Sequence, residues 1–134
     1  MFQVHLERVT EEEQLWTHST QQISKYRVTH SIQGYLGDLY LDLYSRPSKQ
    51  MASAMYTIRG RCEDLHGAIQ HPIGVIVSHI PFGGCDQNSI IEMNMIPTLY
   101  HEFGHAMQLL LTDTKFVQIS GTRVAVGNEA LRQK

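Results

Sequence analysis

Only two cysteines occur among the 134 residues, Cys62 and Cys85, and they do not have the C-x-x-C spacing of a metal ribbon or a redox pair. No secretory signal precedes them, so reduced thiols in an intracellular compartment are expected. No apolar run approaches the roughly 18 residues needed to cross a bilayer, so no membrane span is expected. An excess of charge is missing too: 11 Lys and Arg stand against 13 Asp and Glu, for a net charge of −2. That balance gives no electrostatic hold on nucleic acid or an anionic membrane. There is no internal repeat, low-complexity tract or linker, and no strand-G-x-x-x-x-G-K loop to cradle phosphate. Met1 and Phe2 open directly into a strand pattern without an Arg-rich leader, so no cleavable transit peptide is expected in these residues.

What is present is enough apolar sequence for one moderate core, 42% of residues. Phe2, Val4 and Leu6 alternate with Gln3, His5 and Glu7, which predicts a half-buried strand. The acidic run Glu11-Glu12-Glu13 reads as a solvated turn, and Trp16, the only tryptophan, as a loop anchor. His18 and His30 read as ordinary polar positions. Tyr26 and Val28 mark a second strand before Gly34. From Tyr35 to Tyr44, Leu39, Leu41 and Leu43 share one face, with Asp38, Tyr40, Asp42 and Tyr44 on the other. Asp38 and Asp42 are explained there by a polar face turned to solvent rather than by catalysis. Ala54, Tyr56 and Ile58 alternate in a fourth strand. Residues 61–72 are polar and irregular, with His66 and His71 in loop context. The nearly continuous apolar run Ile73–Ile80 suits a strand covered on both faces, and Pro81–Ser89, with Gly83 and Gly84, breaks it. About five strands followed by one helix give an α+β fold, a mixed sheet with the helix packed on it.

That helix carries the chemistry. In Pro97-Thr98-Leu99-Tyr100-His101-Glu102-Phe103-Gly104-His105, two histidines at i and i+4 share one helix face, within reach of a single zinc ion. Glu102 falls beside the metal, where a carboxylate can take a proton from a metal-activated water, the general-base role in an H-E-x-x-H pattern. Chance alone yields that pattern in roughly 3% of chains of this composition, so context counts. Leu99, Phe103, Ala106, Met107 and Leu110 form an apolar stripe to seat the helix on a core, with the histidines off its centre. Asn94 is the expected N-cap, with Pro97 in the first turn.

Tyr100–Met107, followed by Ser120-Gly121-Thr122-Arg123-Val124, closely resembles the thimet oligopeptidase family of zinc peptidases. Gly34–Arg46 and Tyr56–Gly60 resemble the strands that precede the zinc helix in that family. The Ser-Gly-Thr-Arg segment leans toward its mitochondrial intermediate peptidase branch. The resemblance runs over about residues 1–126 and implies a partial catalytic domain from a larger, mostly helical peptidase. Within it, residues 1–90 are mainly strands and loops, 91–112 the zinc helix and 127–134 a divergent tail. It further implies Zn2+ as cofactor, a peptide or precursor-protein substrate held extended along the sheet edge and neighbouring loops, and the mitochondrial matrix as location. The alternative location, with no transit peptide in the chain, is cytoplasmic.

The same resemblance implies that a glutamate on the following helix completes the zinc site. A gapless match puts that position at Ala130, which has no donor, while Glu129 lies one residue early, about 100° around a helix. A one-residue deletion would restore Glu129 as third ligand. Gln108 stands where relatives usually carry a further histidine, which bears on support of the site. The functional expectation is a zinc metalloendopeptidase acting through Glu102, with mitochondrial precursors among the expected substrates. The alternative is a truncated, catalytically inactive product retaining partial zinc binding or partner binding.

Overall fold

The computed structural model describes residues 3–9, 23–49, 52–81 and 91–115. The acidic run, Trp16, His18, Cys85, most of the Pro81–Ser89 loop, Ser120–Val124 and Glu129 lie outside them. Seven strands are present among the described residues: β1 (Val4–Arg8), β2 (Ile23–His30), β3 (Gly34–Tyr44), β4 (Ala54–Arg59), β5 (Cys62–Glu63), β6 (Ile69–Gln70) and β7 (Ile73–Ile80). One helix follows, α1 (Met95–Leu111). Five strands form a mixed sheet in the order β1-β2-β3-β7-β4, in which β3 and β7 are parallel and the other neighbours antiparallel. The α+β expectation therefore holds for the sheet and its helix.

The side-chain period of two sorts the sheet into two faces. Leu39 of β3, Ile76 of β7 and Val28 of β2 point to the helix side and are fully buried with Ala106 and Leu110 of α1. Each large apolar side chain removed from water in this way contributes about 1.5–3 kcal/mol. Gly37 makes the close approach at the start of β3 possible: a Cβ there would lie 2.3 Å from the Pro72 carbonyl oxygen. That carbonyl accepts the Asp38 N–H at 3.1 Å.

Several details depart from the sequence reading. β1 is an edge strand, and its Leu6 is exposed rather than half-buried. In β4 the alternation is present, and it is Met55 that packs toward the helix, whereas Tyr56 and Ile58 are each about half exposed. Met55 opposes Ile76, which fixes that face as the inner one. Residues 61–72 are not irregular, because β5 and β6 pair there as a separate antiparallel hairpin. In β7, Gly74, Ile76, Ser78 and Ile80 are buried while the alternate residues are partly so. Asn94 occupies the N-cap position, but its backbone is already helical and its side chain makes no capping hydrogen bond. Finally, the most buried positions of α1 are Glu102, Ala106, Leu109 and Leu110, with Phe103 and Met107 only partly covered. The seated face is thus turned toward the histidine side of the expected stripe, and Glu102 is drawn in with it.

Candidate metal centre

A 17-residue α1 places His101 and His105 one turn apart on the flank of its buried face. Their Nε2 atoms approach to 3.0 Å, with the rings edge-to-face at 88°. A tetrahedral zinc with Zn–N bonds of about 2.0–2.1 Å holds two nitrogens roughly 3.3 Å apart. The convergence of two imidazole nitrogens on one point therefore fits a single metal ion, and soft-to-borderline nitrogen donors suit zinc. His101 is exposed and His105 half-buried, so the point where they meet opens to solvent. Among the described residues, no third His, Cys, Asp or Glu joins the pair.

Glu102 sits on the neighbouring face, about 100° around the helix from His101, and is only 9% exposed. Its Oε2 accepts the backbone N–H of Met55 at 2.6 Å. Burying a carboxylate is costly unless it is hydrogen-bonded, and a backbone donor to an ionised acceptor is one of the stronger ways to meet that need. β4 forms the sheet edge on this side among the described residues, with β7 as its single sheet neighbour. Histidine pair, carboxylate and sheet edge thus meet along one side of the molecule. The sequence identified the first two by spacing, but the Met55 N–H carries no side-chain signature and could not be found that way.

Asp38 and Asp42 are also buried, at 8% and 7% exposure, and this corrects the expectation of a solvated polar face. Lys25 pairs with Asp38 at 3.0 Å. Asp42 receives both Arg46 guanidinium nitrogens and the Lys49 ammonium. Lys49 also donates to the Asp42 and Tyr44 carbonyls, both at 2.8 Å. These carboxylates pin β2 and the β3 exit. The spacing of Arg46 and Lys49 after Asp42 was the available signal. Burial alone would raise the Asp42 pKa, but the hydrogen bonds and charges of Arg46 and Lys49 outweigh it and hold the group below the usual carboxylate range.

Three further histidines have partners among the described residues, whereas the Nδ1 of His79 is buried without a hydrogen-bond partner. His30 Nδ1 accepts the Ile32 and Gln33 N–H groups at 3.2 Å each and so closes the β2–β3 turn. His71 Nδ1 lies 3.3 Å from the Leu36 carbonyl, and its ring leans on Tyr35 at 4.6 Å. His66 is exposed and takes part through its backbone N–H, which donates to Asp64.

Residues 1–127 match the profile of Peptidase family M3. This chain belongs to Peptidase family M3. It is similar to the mitochondrial intermediate peptidase of Arabidopsis thaliana, with 40% identity over 106 residues, 78% of this chain and 15% of that protein. The mitochondrial intermediate peptidase of Mus musculus is 34% identical over 101 residues, 75% of this chain and 14% of that protein. A probable thimet oligopeptidase of Arabidopsis thaliana is 29% identical over 125 residues, 92% of this chain and 17% of its own length. The chain thus spans less than a fifth of the length of these relatives.

Proposed function

We propose that this chain carries the zinc-binding and general-base segment of a metalloendopeptidase, a partial catalytic domain over residues 1–134. The observation that carries the reading is the meeting of the His101 and His105 Nε2 atoms beside a buried Glu102 at the sheet edge. Membership of Peptidase family M3 supports it. His101 and His105 hold the metal, with Glu129 the candidate third ligand. Bound zinc supplies a Lewis acid that polarises the scissile carbonyl and brings a water toward ionisation near neutral pH. Glu102 accepts the proton of the attacking water at Oε1, its Oε2 being engaged by Met55, and passes it to the leaving amine. The outer edge of β4 orients the substrate as an added strand, because alternate N–H and C=O groups of an edge strand point away from the sheet. The mitochondrial intermediate peptidase relatives favour precursor-protein substrates in the mitochondrial matrix.

Hydrolysis of a quenched fluorescent peptide library by the purified chain, with zinc added back after chelation, tests this. Cleavage that requires zinc and falls about 10²–10⁴-fold in Glu102→Gln is expected, the usual worth of a general base. Undiminished cleavage in Glu102→Gln would overturn it. The inactive, zinc-binding reading has one observation in its favour, the two-ligand cluster among the described residues. Zinc uptake dependent on His101 without any cleavage would select it.

A further inference from the structure

Glu102 is the one buried acidic side chain of α1, and its partner comes from the sheet rather than from its own helix or the histidines. In an antiparallel ladder each residue turns its N–H and C=O either to its partner strand or away from it, alternating along the strand. The Met55 N–H meets Glu102, so Met55 belongs to the outward-facing set of β4. The bond is short, at 2.6 Å, and its acceptor is carried by a helix already fixed by the buried Ala106 and Leu109. Meanwhile the Met55 side chain is packed into the core, so the donor has little freedom to move.

From this we infer that the Met55 backbone amide is a positioning group for Glu102: it fixes the carboxylate at the sheet edge through Oε2 and leaves Oε1 for proton transfer, independently of metal. The inference rests on the general-base reading of Glu102.

Amide hydrogen exchange on the full chain tests the contact without needing activity. In Glu102→Ala the Met55 amide exchanges at least about tenfold faster relative to the Ile76 amide, the loss expected for a hydrogen bond to a charged group. Glu102→Gln, which keeps an acceptor, restores most of the protection, and zinc changes neither value. Equal acceleration of Met55 and Ile76 in Glu102→Ala would mean loss of global stability only and would overturn the inference, as would an unchanged Met55. In preparations that cleave peptide, replacing the Met55 N–H by an ester oxygen lowers kcat about tenfold with KM unchanged. A KM effect from Met55 would contradict the assignment. Absence of zinc binding or cleavage would count against the peptidase reading alone, because the exchange measurement stands without either.

Discussion

Asp42 shows how one buried residue ties the fold to solution conditions. Its carboxylate is held below the usual range although burial by itself would raise it, because Arg46 and Lys49 both reach it. A folded-state pKa lower than the unfolded value of about 3.9 contributes stability that is complete above that pH. The contribution is lost as pH falls through the folded value. Urea midpoints measured from pH 7 downward therefore drop below about pH 4, and part of that drop is absent in Asp42→Asn. At neutral pH the same substitution costs about 3 kcal/mol, the low end for breaking a buried pair. Lys49, whose side chain is 6% exposed, keeps the Asp42 and Tyr44 carbonyls. Equal pH slopes in the two proteins would show that Asp42 is not the linked group. The sequence assigned Asp42 to the correct strand and face, yet alternation says which residues share a face and not what covers it. The placing of His101, Glu102 and His105 on one helix, with the two rings a turn apart, was legible for the opposite reason: it depends on helical spacing, which the sequence carries directly.

Between elements, the contact of α1 with the sheet rests on close approach at glycines. Gly37 admits the Pro72 carbonyl and the Leu110 side chain, and at Gly74 a Cβ would meet Leu109 at 3.1 Å and Met55 at 3.3 Å. Gly37→Ala drives a methyl into backbone, which cannot rotate aside, and is expected to cost about 1–3 kcal/mol in chemical denaturation. At Gly74 the neighbours are the ends of flexible side chains, so Gly74→Ala costs less than Gly37→Ala; the reverse order would contradict the packing described. β3 and α1 could be read from the chain because each is long and strongly periodic, and β7 because its apolar run is nearly continuous. The β5–β6 hairpin could not, since two residues per strand give no alternation to detect. For β4 the period was legible and the facing was not: Tyr56 and Ile58 are about half exposed, while Met55 opposes Ile76 and takes the core side. The register with a neighbouring strand decided the matter, and register is not written within a single strand.

For the molecule as a whole, a five-stranded mixed sheet and one helix form the frame of a chain that belongs to Peptidase family M3. The chain matches that family over residues 1–127 while spanning 14–17% of the length of the relatives described. The proposed function rests on metal capture by the α1 histidines, because the role proposed for Glu102 depends on it. The decisive measurement is the stoichiometry and affinity of zinc on the purified chain, compared with His101→Ala, His105→Ala and Glu129→Gln. One zinc per chain is expected, with binding abolished by either histidine substitution; weakening in Glu129→Gln by about 10–100-fold or more would add the third ligand. Zinc binding that survives in both histidine variants, or no zinc bound by the parent chain, would contradict a metal centre at His101 and His105.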